Sequence, residues 1–418
     1  MKSAIIALLV SCTLLSCKAQ QAAVSANNTS ILPGAYRTSV YLPLLQGKRV
    51  GVFANNTSMV GNTHLVDTLQ KLGVNIIKIF APEHGFRGTA DAGARIGNDT
   101  DSRTGIPIIS LYGKKLKPTA DDVKNVDILL FDIQDVGVRF YTYIASLQYF
   151  MEAALENSKP LLILDRPNPN GFYVDGPVLD TAYKGFIGMQ PIPIVYGMTI
   201  GEYAMMLGGE HWLSTEAANR KYTYYQSSAQ NSTDTTFHFL VIKCADYTHS
   251  SHYVLPVKPS PNLPDAAAIS WYPSTCLFEG TTLSEGRGTE HPFTIFGHPS
   301  LPRTLYTFTP HSNEGAKDPK WKDKTCYGWN ITAETAPSHV ELKWLLQSYQ
   351  LFPQKDSFFI KPKSGKQTDY FFNRLAGNGT LMQQIIDGKS EADIRKSWQP
   401  QLDAFKQIRK KYLLYQDF

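Results

Sequence analysis

Residues 75–88 read NIIKIFAPEHGFRG, and the fold turns on how this stretch is understood. It opens as a β-branched apolar run up to Phe80 and breaks at Ala81-Pro82. Glu83, His84 and Arg87 then follow in quick succession beside Gly85 and Gly88. A continuous apolar strand marks a sheet covered on both faces, whereas a half-solvated strand would alternate. The same kind of run recurs at 48–56 (KRVGVFANN), 106–111, 126–133 (VDILLFDI) and 160–164 (PLLIL). Helical spacing appears at 64–72, closed by Gly73, and again at 141–157. Five apolar runs with helices between them predict an α/β fold with a parallel sheet.

Open parallel sheets bind ligands beyond the carboxyl ends of their strands. Those ends carry Asn55 and Asn56, Glu83 and His84, Tyr112, Asp135 and Arg139, and Asp165 with Asn168. A strand that ends in Pro and then shows an acid, an imidazole and a guanidinium reads as a site being presented. No G-x-G-x-x-G follows the first run and no P-loop occurs, so a nucleotide is not the expected ligand.

At 418 residues the chain is long for one core, which predicts two domains. The polar, Ser/Thr/Gln-rich stretch 221–236 sets the expected boundary, giving a first domain over 33–230 and a second, smaller α+β domain over 231–418. In the second, residues 277–299 (LFEGTTLSEGRGTEHPFTIFGHP) are too rich in glycine and charge for helix or strand, and predict a functional loop. Helical patterns close the chain, the last over 394–412 with an expected break at Pro400. Thr199 with Glu202 reads as a capping box.

Hydrophobic content of 43% with 18% charged residues describes a globular protein. Its 22 tyrosines suit a carbohydrate surface, and a tyrosine-rich core equally. A net charge of +5 without a dense Lys/Arg block gives no support for nucleic acid. Lys2, an apolar run from Ala4 to Leu15 and then Ser16-Cys17 resemble a bacterial lipoprotein leader. Residues 1–16 are expected to be a signal peptide, Cys17 the lipidated residue and 17–32 a tether. The protein would then sit in the cell envelope, membrane-anchored and facing the periplasm. Cys244, Cys276 and Cys326 show no C-x-x-C spacing, so neither zinc nor a redox pair is indicated, and one disulfide stays open.

His249 and His252 lack the companions of a metallohydrolase, and no G-x-S-x-G elbow is present. No metal or cofactor is expected. Carboxylate chemistry is left, and glycoside cleavage asks for a proton donor plus a second group. Glu83 fits the donor if Pro82, Phe80 and Phe86 desolvate it. For the second catalytic group we take Asp135 and Glu285, with Asp165, Glu279 and Glu290 open, since composition does not choose. Asn55, His84, Arg87, Arg139, Tyr141, Asp165, Asn168 and Arg287 form the candidate substrate-binding set, the arginines for an anionic group.

With these residues in view the chain resembles the NamZ (YbbC-like) exo-β-N-acetylmuramidase family. The likeness runs from about Pro33 to the C-terminus and rests on APEHGFRG (81–88), DIQDVGVRFYTY (132–143), LDRPNPNG (164–171), DGPVLD (175–180), PIPIVYGMTIGE (191–202), SPNLP (260–264) and YPSTCLFEGTTLSEGRGT (272–289). It implies a Rossmann-like catalytic domain, a cleft against the second domain, and release of terminal N-acetylmuramic acid from peptidoglycan fragments. It also implies Glu83 as the catalytic glutamate. The lactyl carboxylate of that sugar would explain the arginines, and its acetamido group would be able to replace a second carboxylate. Two rivals stand beside it: a non-catalytic envelope lipoprotein that binds muropeptides, and a peptidoglycan amidase.

Overall fold

The computed structural model describes residues 31–83, 85–87, 99–222 and 239–418. In chain order the strands are β1 (Arg49–Ala54), the hairpin pair β2 (Met59–Val60) and β3 (Thr63–His64), β4 (Asn75–Ala81), β5 (Asp99–Thr100), β6 (Pro107–Ser110), β7 (Ile128–Asp132), β8 (Leu161–Leu164), β9 (Phe239–Ile242), β10 (Ile295–His298), β11 (Tyr306–Phe308) and β12 (Cys326–Asn330). Seven of them form one sheet in the order β5-β6-β4-β1-β7-β8-β9. Only the β5–β6 pair is antiparallel. The six parallel strands therefore lie third, second, first, fourth, fifth, sixth, which is the Rossmann order with its switch point between β1 and β7. All five apolar runs are strands of this sheet.

The period-two geometry of a strand explains why both faces had to be apolar. The helices begin with α1 (Thr38–Leu45), α2 (Leu65–Lys71), α3 (Ala120–Val123) and α4 (Tyr143–Glu156). On one face Phe53, Phe80, Leu129, Phe131 and Ile163 pack with Leu147 and Phe150 of α4. On the other, Val50, Val52, Ile79, Leu130 and Leu162 pack against Tyr41, Leu45, Leu65, Val66 and Leu69. Each such side chain, fully buried, contributes about 1.5–3 kcal/mol. The first of these cores runs on without a break into Phe278, Phe296, Phe358 and Trp398, so both halves share one hydrophobic interior. The second half holds a three-stranded antiparallel sheet, β10-β12-β11, and several helices.

Four expectations change. The boundary near 230 fails to hold, because β9 pairs in parallel with β8 and is the edge of the main sheet. The polar stretch before it read as a linker, and most of that stretch lies outside the described residues. Pro400 does not break the last helix, which runs from Glu391 to Lys410. Pro400 is exposed, so the carbonyl it leaves unbonded faces water. Cys244, Cys276 and Cys326 are all free and buried. The end of the expected tether is tied down, since Leu32 bridges to Ala245; the leader and Cys17 lie outside the described residues.

Candidate active site

β4 stops at Ala81, and Pro82 offers no amide to continue the ladder. The turn closes with the Gly85 amide on the Pro82 carbonyl at 3.0 Å. Gly85 has φ 76°, a conformation that favours glycine. Glu83 is thereby left half-buried at the carboxyl end of the sheet. Thr142 Oγ1 donates to Glu83 Oε2 at 3.0 Å. Thr142 is the N-cap of α4, yet its side chain caps nothing in its own helix. A cap is ordinarily worth about 1 kcal/mol, so the hydroxyl is committed to Glu83 instead. Tyr112, just after β6, also hydrogen-bonds Glu83, and burial together with that carboxylate pushes the Tyr112 pKa up.

A narrow cavity of about 70 Å³ adjoins Glu83. The β7–α4 connection supplies Phe140 and Tyr141, the first residue of α4 is Tyr143, the SPNLP loop supplies Ser260 and Leu263, and the second half supplies Tyr272, Arg287 and Phe293. Its rings meet edge to face, Phe140 on Tyr272 at 5.4 Å and Tyr272 on Phe293 at 4.8 Å. Phe293 has φ 64°, rare for a bulky residue, and its amide is held by the Glu285 carbonyl at 2.7 Å. The Tyr141 and Tyr143 hydroxyls both donate to the Pro259 carbonyl, at 3.0 and 3.2 Å, so these residues offer the cavity their rings.

The stretch 277–299, expected to hold neither helix nor strand, opens within a 3-10 helix (Cys276–Gly280) and closes on β10, with loop only between them; together with Lys320 it forms the opposing wall through a charge-balanced quartet. Arg287 Nη2 lies 2.7 Å from Glu279, and its Nε 3.5 Å from Glu285. Lys320 Nζ lies 3.0 Å from Glu285 Oε2 and donates to the carbonyls of Phe278, Glu279, Thr281 and Leu283 within 3.1 Å. Burial opposes the charge on Arg287, but Glu279 and Glu285 outweigh it and hold its pKa above the ordinary value. Of the three arginines expected to meet an anionic group, Arg287 is the one that reaches the cavity.

The other sequence candidates are distributed differently. Arg87 is paired with Asp101 at 2.8 Å and lies 3.5 Å from Asp67. It lines a cavity of about 610 Å³ between α2 (Leu65–Lys71) and the β2–β3 hairpin, which shares no lining residue with the Glu83 cavity. Arg139 is buried, and its guanidinium donates to the carbonyls of Pro177, Ile192 and Leu375, each at 2.8 Å. It is a clasp between the two halves rather than a substrate ligand. Asn55 Oδ1 accepts from the Thr57 amide and hydroxyl, and its Nδ2 donates to the Tyr143 hydroxyl oxygen. Asp165 accepts from the Arg166 and Gly201 amides and from the Thr199 and Tyr415 hydroxyls. Asn168 bonds the Met198 carbonyl and the Asn170 amide. These three polar residues organise turns beneath the sheet's carboxyl edge. His84 lies outside the described residues.

Neither carboxylate taken for the second group lines the cavity. Asp135 is 5% exposed, with Oδ2 accepting from Gly137 N and Tyr196 Oη and Oδ1 without a partner among the described residues; burial pushes its pKa up to about 6. Glu285 is buried in the quartet. His249 is sealed against Glu202 at 3.0 Å, and Glu202 does form the expected capping box with Thr199. Among the described residues one group, His339, Glu341 and Glu391, has ligand atoms within 4.8 Å of one another, and none of the three lines the Glu83 cavity. Thr142, Tyr143, Tyr272 and Phe293 were not picked out from the sequence. The blocks 132–143 and 272–289 contain the first three, and only their hydroxyls and rings, unremarkable as letters, would have signalled them.

Comparison with known proteins gives a consistent result. The model described as exo-β-N-acetylmuramidase NamZ, N-terminal, matches residues 50–267, and its C-terminal counterpart matches 270–415. The peptidoglycan β-N-acetylmuramidase NamZ of Bacillus subtilis (strain 168) is 36% identical over 401 residues, 90% of this chain and 89% of that protein. Two crystal structures of DUF1343 family proteins from Bacteroides fragilis NCTC 9343 are similar throughout. One has a TM-score of 0.79 at 43% identity and the other 0.73 at 26%, each covering 93% of this chain and 99% of its own.

Proposed function

The chain belongs to the NamZ family of exo-β-N-acetylmuramidases, and from that membership we infer a glycoside hydrolase that releases terminal N-acetylmuramic acid from the non-reducing end of peptidoglycan fragments. Glu83 is the general acid that protonates the leaving glycosidic oxygen. The observation that carries this role is its placement: a half-buried carboxylate at the end of β4, aimed by Thr142 at 3.0 Å, beside an aromatic cavity between the two halves. Aromatic walls suit the apolar faces of a pyranose, and a positioned acid contributes about 10²–10⁴-fold to such a step.

Glu83 is also the sole carboxylate lining that cavity among the described residues. This supports the substrate's own acetamido oxygen as the group that stabilises the oxocarbenium-like transition state. Arg287, the cation that reaches the cavity, is the residue we assign to the lactyl carboxylate. A methyl or aryl β-N-acetylmuraminide tests the reading, with the matching N-acetylglucosaminide as control. Muramic acid release by the wild type, lost in Glu83→Gln while ligand affinity persists, is the expected result. No release from folded protein would sink it, and release of peptide instead would indicate an amidase.

We also propose attachment to the membrane surface through Cys17 and a periplasmic location, on the strength of the leader pattern alone. Fatty-acid labelling of the full chain that survives Cys17→Ser would refute the anchor.

A further inference from the structure

A groove of about 540 Å³ opens beside α4, walled by the segment after β6, by residues 184–190 and by residues 211–214. That volume lies within the range of clefts that hold small ligands. Three half-exposed rings line it: Tyr149, Phe186 and Trp212. The Tyr149 and Phe186 rings are nearly parallel, at 14° with centroids 6.5 Å apart. Phe186 in turn lies 6.1 Å from the ring of Tyr112, whose hydroxyl is bonded to Glu83. An unbroken series of contacts therefore leads from the carboxylate into the groove.

We propose that this groove is the leaving-group subsite and takes the β-linked N-acetylhexosamine chain that follows the scissile bond. The inference rests on the reading of Glu83 as proton donor. A general acid must touch the glycosidic oxygen, and the leaving chain begins at that oxygen. The narrow cavity that Glu83 and Thr142 line is assigned to the terminal sugar, and the groove is reached from the same carboxylate across the Tyr112 ring, where the leaving chain would run. The half-exposed rings of Tyr149, Phe186 and Trp212 offer apolar surface to the C–H faces of pyranoses, and the ammonium of exposed Lys184 at the margin suits hydroxyl and acetamido oxygens. The larger cavity beside α2 is the competing route. Its walls carry Asp67 with Arg87 and Arg103 and no Phe, Tyr or Trp, so it suits an ionic group rather than a sugar face.

The test compares kcat/KM for muramic acid release from a methyl β-N-acetylmuraminide, too short to enter the groove, with that from a muramic-acid-terminated tetrasaccharide. Tyr149→Ala should leave the methyl glycoside unchanged and lower the tetrasaccharide value about tenfold, the scale of a lost aromatic stacking contact. Phe186→Ala should shift the ratio of the two values in the same direction. As a check independent of turnover, calorimetric titration of the Glu83→Gln protein with chitotriose should show binding that Tyr149→Ala abolishes. Normal release with an unchanged ratio, or chitotriose binding that survives Tyr149→Ala, overturns the proposal alone. Failure of the wild type to release muramic acid from either substrate overturns the glycosidase reading and this proposal together.

Discussion

Thr142 occupies the N-cap of α4, but its hydroxyl lies 3.0 Å from Glu83 Oε2 and makes no bond to its own helix. A cap residue that caps nothing can be replaced at little cost to the helix. Thr142→Val keeps the branched shape and removes the hydroxyl. The expected outcome is an unchanged melting temperature with kcat reduced ~10-fold, as Glu83 loses one of the bonds that aim it. Thermal melts beside initial rates check this, and full activity in the variant would show that Thr142 does not position the acid.

Lys320 has five oxygens around one ammonium: four carbonyls and Glu285. Its removal would leave a buried carboxylate facing unsatisfied carbonyls. Lys320→Met should cost about 2 kcal/mol or more in denaturant unfolding, and should raise KM through a loosened Arg287. In the double variant with Glu285→Gln the penalty should be smaller than the sum of the two single losses. Additive losses would mean that the pair is not coupled.

Asp135 and Asp165 are both buried, and burial raises each pKa to about 6. An acid with a raised folded-state pKa binds more protons folded than unfolded between about pH 4 and 6. Its contribution to stability is therefore complete below pH 4 and lost as pH rises through 6, by up to ~3 kcal/mol per group. Asp101 and Asp122 oppose this at the acid end: burial raises their pKa values, but Arg87 and Thr104, and Lys115 and Thr119, outweigh it and bring them below the ordinary value. The measurable consequence is the slope of melting temperature between about pH 4 and pH 6. Asp135→Asn should flatten that fall while leaving kcat within about threefold. A collapse of kcat would restore Asp135 as a catalytic group.

Arg139 is a buried cation whose guanidinium joins the carbonyls of Pro177 and Ile192 to that of Leu375, near the end of the helix Phe371–Ala376. Arg139→Leu strands three buried acceptors at once. A loss of about 3 kcal/mol or more is expected, with Arg139→Lys recovering little because one ammonium lacks the spread of the planar fork. Wild-type stability in either variant would remove the clasp from the account.

Much of the architecture was legible because strand burial leaves a direct mark on composition. The runs at 48–56, 75–80, 106–111, 126–133 and 160–164 are apolar on both faces, and each became a strand of one sheet. The sixth parallel strand was misassigned to the second domain for a physical reason. β9 is an edge strand, half-exposed in part, preceded by a polar stretch and more than seventy residues beyond β8, so its pairing is set by contacts distant in sequence. The arginines illustrate the same limit. Arg87, Arg139 and Arg287 look equally suited to an anion as letters, and only their partners separate them.

By itself the sequence determined the sheet, the turn after Pro82 and the family blocks, since strand periodicity, proline and glycine act on their near neighbours along the chain. The tertiary structure decided what faces Glu83: the Thr142 hydroxyl, Tyr112, the rings of Tyr272 and Phe293, and Arg287 already held by two glutamates. It also set Asp135 and Glu285 apart from the cavity. A side chain's chemistry depends on burial and on which charges lie within a few ångströms, and those neighbours come from strands, loops and helices far away along the chain.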